Sequence, residues 1–348
     1  MTDIRKYRWL IVVMTVYYAV FYGTDRLIDA GGSGAYILAF VVTAVSAVLY
    51  MLLYNKKSVS LFDADKITFD IRISGVILLV SVFVQTVSVC TYSVEAISGV
   101  FMKKSPFPYI LFFVMFPTLF GAYFGIKSVS RYSLVAGTLI LFMIGLILLF
   151  VYEDYLSVNI HPVLGKGYIG IGSFFRCMML FSNIIYLFVL SSECNNTQNS
   201  VRTEIVKVIL ISGAVFAGIC LVCNLTVPYE ALGCWHDPLL YIASTVNFSF
   251  VVRRSEALVF LIWIFVSFLT IASLLCFVCS LAAKLFNLSN RKAVIGAVSI
   301  VVASSAMLTY KNNMTESLIS FSLFCTGVVS IVVPIVLRII CALRKERQ

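Results

Sequence analysis

Apolar stretches, each about long enough to cross a bilayer, follow one another along the chain and alternate with short polar joints. A helical span needs roughly 20 mostly apolar residues. The pattern predicts ten such spans, at residues 9–27, 36–54, 73–94, 109–126, 134–152, 169–190, 209–227, 258–281, 293–310 and 318–340. No joint exceeds about thirty residues and none is rich in Pro, Ser and Gly, so no segment between spans can bury a sizeable core of its own. The expected fold class is therefore an all-α polytopic membrane protein, with a single integral membrane domain over residues 1–348. Basic residues precede the first apolar run in MTDIRKYRWLIVV, but no small-residue cleavage site follows, and the first span is expected to be retained.

Composition agrees: 61% of residues are hydrophobic and only 12% charged, too few to keep the surface of a soluble domain of this size wet. Charge adds orientation, because cytoplasmic joints retain the excess of Lys and Arg. With the N-terminus inside, that side holds eighteen of the 26 basic residues: Arg5, Lys6, Arg8, Lys56, Lys57, Lys66, Arg72, Lys127, Arg131, Arg202, Lys207, Lys284, Arg291, Lys292, Arg338, Arg344, Lys345 and Arg347. Seven lie outside (Arg26, Lys103, Lys104, Lys166, Arg253, Arg254 and Lys311), and Arg176 falls within the sixth span. Both termini are expected to be cytoplasmic. The formal charge of +10 is then a matter of topology, and no stretch interleaves basic and aromatic residues on a wet face as nucleic-acid binding would require.

The ten cysteines do not form a disulfide framework on this reading. Most lie in spans, and the CxxC spacings Cys220/Cys223 and Cys276/Cys279 sit in apolar helices without companion histidines, as small packing residues do. Cys234 lies outside, near Trp235 and His236. His161 and His236, the only histidines, fall on outer joints without further ligands nearby, so no metal site and no cofactor are expected. Nor is an enzyme expected: the carboxylates cluster near span ends, away from any setting for a general base.

An intramembrane polar group or an unwound helix is costly and marks a site or a path. Four spans carry such features. The first holds Thr15, Tyr17 and Tyr18, then Gly23 and Asp25. The third carries Gln85, Thr86, Ser88, Cys90 and Thr91, and ends at Glu95. The sixth opens on Gly167, Gly170 and Gly172, contains Arg176, and has Ser182 and Asn183 near its middle. The eighth begins at Arg254 and Glu256 and holds Ser267, Thr270 and Ser273. In two inverted five-helix repeats the first span would correspond to the sixth and the third to the eighth. Broken helices of such transporters meet at the midplane, where their free backbone groups hold the ligand and a half-helix N-terminus favours a carboxylate. Any single Ser or Thr among these has a simpler explanation as glue between helices.

Several short segments carry a resemblance. RSEALVFLIW at 254–263 is similar to an Arg-x-Glu followed by Trp at the head of an eighth span, and HPVLGKG at 161–167 to a Pro-Val-Leu-Gly-x-Gly approach to a sixth. SLFD at 60–63, KSPFP at 104–108, GIKSVSR at 125–131 and LSNRK at 288–292 follow in order and spacing over about 230 residues. Together they resemble the spore germination permease family, the B-subunit type of nutrient germinant receptors, within the amino acid/polyamine/organocation superfamily.

The resemblance implies a ten-span, 5+5 inverted-repeat transporter-like fold. It also implies a subunit in the inner membrane of a bacterial endospore, sensing a small nutrient such as an amino acid and signalling through A-type and C-type partner subunits. Its departures are two. Val16, Tyr17 and Tyr18 stand where members commonly have a Gly-x-Gly break in the first span, and Ile184 and Tyr186 stand where they tend to have a Gly and an acidic residue late in the sixth. Either the ligand differs, or the pocket is vestigial and the chain serves mainly as a scaffold. The residues expected to bind ligand are Tyr17, Tyr18, Ser88, Phe181, Ser182, Asn183 and Ser267. Glu95, Arg176, Arg254 and Glu256 are expected as structural or gating charges: Arg254 pairing with Glu95 or Glu256 at the outer end, and Arg176 either snorkelling outward or facing a cavity. A proton-coupled amino acid or amine transporter is the second reading, and a ligand-free membrane scaffold the third. The mid-span positions are hydroxyls, tyrosines and an Asn rather than carboxylates, which favours sensing over proton coupling.

Overall fold

The structure, a computed structural model, describes residues 4–54, 69–100, 102, 104–150, 155–163, 165, 170–192, 198–232, 238, 242, 255–288 and 290–346. Among them every regular element is helical. The chain runs through α1 (Arg8–Tyr22), α2 (Thr24–Gly31), α3 (Ala35–Leu53), α4 (Phe69–Val100), α5 (Phe107–Phe124), α6 (Ile126–Phe150), α7 (Ile171–Met178), α8 (Ile184–Ser192), α9 (Gln198–Thr226), α10 (Ser255–Phe286), α11 (Arg291–Lys311) and α12 (Thr315–Glu346).

Seven helical stretches are long and apolar enough to cross a membrane, and the bent pair Ile171–Phe181 and Ile184–Ser191 raises this to as many as eight. The protein is an integral membrane protein with apolar faces turned outward and polar groups turned inward. On α5 the faces offered to lipid carry Phe112, Phe116 and Phe120, and on α12 Phe324, Val328 and Val332, all spaced four apart and exposed. The opposite face of α12 buries Ser322, Thr326 and Ser330. This is the arrangement lipid demands, since apolar side chains gain nothing by leaving hydrocarbon whereas hydroxyls must find partners. Many hydroxyls find one on their own helix: Thr43 donates to Ala39 O, Thr86 to Val82 O and Thr91 to Val87 O, at 2.7, 2.7 and 2.8 Å.

At the centre stands α4, 32 residues long and thus about 48 Å, more than a bilayer's hydrocarbon thickness. It packs against α5, α10, α11 and α12, while α3 lies along α9 and α1 lies against α6, α9 and α10.

The first expected span is broken, but not at Val16–Tyr18: α1 runs straight through Tyr17 and Tyr18 and ends at Gly23, where α2 begins. A Cβ at Gly23 would sit 2.6 Å from Leu180 Cδ1, 2.7 Å from Ala19 O and 2.9 Å from Phe216 Cζ, so any larger residue would require these neighbours to shift. Thr24 Oγ1 reaches back to the carbonyls of Ala19 and Val20, each at 3.2 Å, and satisfies part of the open helix end. The sixth expected span breaks at its middle rather than at its opening glycines. A 3-10 turn at Met179–Phe181 leads through Ser182 and Asn183 into α8, and the two helical halves are bent by 41°. Neither Gly nor Pro makes this break; the side chains of Ser182 and Asn183 bond Thr326 and Gln85 on other helices.

Two clasps close the bundle. At the end that carries Arg8 and Tyr54, the Arg8 guanidinium grips Glu204 of α9 with two bonds of 2.5 and 2.9 Å. The Glu204 side chain is 3% exposed, and Lys207 lies 3.4 Å away. At the distal end, the chain turns between α2 and α3 through residues Gly32–Gly34, and the segment before α7 docks onto this turn. Ser33 Oγ donates to Pro162 O at 2.6 Å, and Asn224 Nδ2 donates to Ser33 O at 3.0 Å. Gly165, at φ +66°, lies so close that a Cβ would fall 1.8 Å from Gly31 O. Pro162 and Gly165 of the segment singled out in the sequence thus pack against the α2–α3 turn.

Two outcomes follow for stability. Arg8→Ala strands a buried carboxylate with only Lys207 beside it and should cost on the order of 2 kcal/mol, read as a lower thermal unfolding midpoint in detergent. The Arg8→Ala/Glu204→Ala pair should then be no less stable than Arg8→Ala alone. Gly165→Ala combines a left-handed backbone with the collision against Gly31, and should cost about 2 kcal/mol or more and expose the 155–165 segment to protease.

Candidate functional site

The two helix interruptions and the middle of α4 enclose a polar centre. Gln85, on α4, is 1% exposed; its Nε2 donates to Asn183 Oδ1 at 2.9 Å, and its Oε1 accepts from the Tyr186 hydroxyl. The amide thereby ties the sixth-span break to α4 by two bonds. Tyr186 stacks on Phe277 of α10, with ring centroids 4.5 Å apart, so the residue standing in place of an expected acid fills its space with an aromatic ring. From α1, Tyr17 shares a 2.9 Å hydrogen bond with Ser93 on α4. The Tyr18 hydroxyl faces Gln85, Tyr186 and Tyr17.

A second polar row runs beside it. Ser182 Oγ donates to Thr326 Oγ1 at 3.3 Å, and Ser322 Oγ donates to Ser88 Oγ at 3.1 Å, so α12 is laced to both the sixth-span break and α4. Within this otherwise paired centre, Asn183 Nδ2 has no hydrogen-bond partner among the described residues. Buried polar groups are nearly always paired, and one left alone costs about 1–3 kcal/mol.

Of the seven residues expected to bind ligand, Tyr17, Tyr18, Ser88, Phe181, Ser182 and Asn183 are buried around this centre. Ser267 is buried too, but its hydroxyl turns to its own helix and donates to Trp263 O at 2.8 Å, outside the hydrogen-bonded cluster. Five participants were not among the seven: Gln85, Ser93, Tyr186, Ser322 and Thr326. Gln85 is the most strongly hydrogen-bonding side chain in the middle of its span, which was the available signal. Ser322 and Thr326 belong to the tenth expected span, where hydroxyls at 322, 326 and 330 recur every four residues on one helical face.

The charges lie at the distal end. Glu95 is exposed and lines a cavity of about 450 Å³ together with Asp25, Arg26, Glu316 and the rings of Phe21, Tyr22 and Tyr92. Arg176 is exposed and lines an adjoining cavity of about 420 Å³ with Arg26, Asp29 and Ser173. Arg254 lies outside the described residues, as do the side chain of Glu256 and the whole of Cys234 and His236, so their expected roles have no counterpart here. Among the described residues no three His, Cys, Asp or Glu side chains are grouped to hold a metal ion. Cys220, Cys223, Cys276 and Cys279 are buried.

Solved structures share this architecture. Two are transporters, each at 13% identity and a TM-score of 0.56: a manganese transporter from Eremococcus coleocola, matched over 96% of this chain and 76% of the other, and the inward-facing conformation of Mhp1, matched over 92% and 75%. At such identity the likeness establishes the fold alone. No curated protein matches the sequence. Residues 6–314, however, match the family described as spore germination protein, the Spore_permease family. With a transporter-like helical fold, two interrupted helices around a polar centre, and a family match over most of its length, this chain belongs to the spore germination permease family.

Proposed function

We propose that this chain is the membrane subunit of a nutrient germinant receptor, binding a small, amino acid-like nutrient at the centre formed by α1, α4, the α7–α8 break and α12. The observation that carries this reading is the buried Asn183 Nδ2, at the sixth-span break and without a hydrogen-bond partner among the described residues, with the Tyr18 hydroxyl facing the same centre. A ligand with an acceptor for the amide and a donor or acceptor for the phenol would engage both. Binding one arrangement of the halves better than another then shifts the conformational equilibrium, which A-type and C-type partner subunits would read.

On this reading α1 with α2, α3, α4, α5, α6, α7 with α8, α9, α10, α11 and α12 are ten passes arranged as 5+5 inverted repeats. Both termini are cytoplasmic, the distal end faces outward, and the membrane is the inner membrane of an endospore. The basic residues of the joints support that orientation. The likeness to transporters favours a second reading, proton-coupled uptake of an amino acid or amine. Against it, the hydrogen-bonded centre is built from amides, hydroxyls and phenols, without a carboxylate to carry the proton.

The deciding experiment is thermal unfolding of the purified protein against pools of amino acids, nucleosides and sugars. An amino acid at a hundred times its dissociation constant should add about 2.7 kcal/mol to apparent stability. The gain should vanish in Asn183→Leu while that variant remains monodisperse and cooperatively unfolding. A well-folded wild type that responds to no pool would overturn the reading in favour of a scaffold. Gln85→Leu, which leaves Tyr186 and Asn183 without their shared partner, should lose about 1–3 kcal/mol even without ligand. In proteoliposomes, a proton gradient should drive no amino acid uptake above that of empty vesicles; gradient-dependent uptake would put the transporter reading first.

A further inference from the structure

The lipid-facing side of the bundle has a cleft at the end that carries Arg8 and Tyr54, where α3 stops at Leu53 and α12 runs on to Glu346. Its volume is about 300 Å³. Among the described residues its lining is Leu53, Pro334, Ile335, Arg338, Ile339 and Ala342, apolar throughout except for one guanidinium. Next to it along both helices the packing is direct, since the Tyr50 and Ser330 hydroxyls share a hydrogen bond of 2.8 Å. Pro334, four residues on from Ser330, has no N–H to give the Ser330 carbonyl, so the helical ladder of α12 is interrupted where the cleft begins.

The surface leading to the cleft is shaped for a hydrocarbon chain. Val41, Val45, Val48 and Leu52 are exposed on α3, and Val328, Val332, Ile335 and Ile339 on α12. Both sets are spaced four, three and four residues apart, so each forms one stripe along its helix. Such a stripe rises about 16 Å, roughly half of a hydrocarbon core about 30 Å thick, which is the depth of one leaflet. The bilayer covers these faces, so the occupant of the cleft is a lipid, and the rim selects its headgroup.

Two guanidiniums reach the open C-terminal end of α3, and they differ. Arg202, from α9, is half-buried and donates to Tyr54 O at 3.2 Å. Arg338 is exposed, and its Nη1 donates to Leu52 O over a long 3.4 Å. A cation suits a helix C-terminus, and this contact holds the group at the rim without exhausting its five donors. No described carboxylate lines the cleft. Further along the chain Arg344, Lys345 and Arg347 follow, against Glu346 alone. A planar guanidinium gives paired bonds to phosphate, and basic groups between membrane helices favour anionic headgroups.

We propose that the cleft between the end of α3 and residues 334–342 of α12 binds an anionic phospholipid, with one acyl chain in the cleft and the phosphate on Arg338. The lipid would bridge the two helices just beyond the Tyr50–Ser330 bond. Because α12 also carries Ser322 and Thr326, which bond Ser88 and Ser182, the membrane's composition would bear on the helix that braces the polar centre. The site does not depend on what that centre binds.

The test uses the full chain, delipidated in a neutral detergent and titrated with dioleoylphosphatidylglycerol, dioleoylphosphatidylcholine or inorganic phosphate. Native mass spectrometry reads bound lipid, and thermal unfolding reads stabilisation. Phosphatidylglycerol should bind saturably, about fivefold more tightly than phosphatidylcholine, and raise the unfolding midpoint, while inorganic phosphate should leave it in place. Arg338→Gln should abolish the preference and keep phosphatidylcholine binding as it was. Ala342→Phe, which fills the cleft from an exposed position, should weaken both lipids. Arg131→Gln, at an exposed basic residue of α6, should change nothing. Equal binding of the two lipids would mean ordinary solvation by the bilayer, and a preference lost equally in Arg131→Gln would mean diffuse charge. Stabilisation by phosphate equal to that by phosphatidylglycerol would mean an ion site without a chain. Each overturns the proposal, as does a preference that survives Arg338→Gln or binding untouched by Ala342→Phe.

Discussion

An interrupted helix inside a bilayer leaves backbone groups that no water can reach, and a fold that keeps two such interruptions must satisfy them within the protein. Here the two interruptions are packed against each other. Gly23 lies on Leu180, part of the 3-10 turn that begins the sixth-span break, at a distance that leaves no room for a Cβ. Thr24 takes up carbonyls at the end of α1, and 3-10-type bonds from Ser182, Ile185 and Tyr186 carry the backbone through the second break. The rest of the bundle is arranged around this contact: α4 passes beside it, α12 braces it through Thr326, and α9 supports it through Phe216.

The same contact explains why the centre is polar yet uncharged. Side chains that approach an interrupted helix can bond its neighbours as well as one another. Gln85, Asn183 and Tyr186 do so, as do Ser182 with Thr326 and Ser88 with Ser322. Amides and hydroxyls suit this position because each has both donors and acceptors and none brings the desolvation cost of an ion. Ions are held instead at the two ends. Glu204 can be nearly buried because Arg8 grips it with two hydrogen bonds, and the distal carboxylates of Glu95 and Glu316 line an open cavity. A rearrangement of the halves could alter the centre without separating a buried ion pair there, which is compatible with a conformational equilibrium that a modest ligand can bias.

Much of this was legible in the chain. Residence in a membrane follows from length and hydropathy alone, because lipid leaves only helices and closed barrels as solutions and the apolar stretches have helical length. The spans that hold the centre were legible as well, since Tyr17, Tyr18, Ser88, Ser182 and Asn183 are conspicuous among Val, Leu and Phe. Composition along one strand of text could not say which hydroxyls look at each other. Ser267 is as polar and as central as Ser88, yet it bonds its own helix, while Ser322 and Thr326, on a span that drew no notice, complete the row.

The sequence by itself determined the solvent in which this protein folds, the helical repertoire, and the family, through periodic apolar runs and a few ordered motifs. Where the helices break and what the breaks enclose was decided by tertiary packing. Gly23, between α1 and α2, packs on Leu180 and Phe216, and at the bend of the sixth span Asn183 accepts from Gln85 while Ser182 donates to Thr326. These partners are remote in the chain, and a contact between remote residues is a property of the fold, which local propensity does not encode.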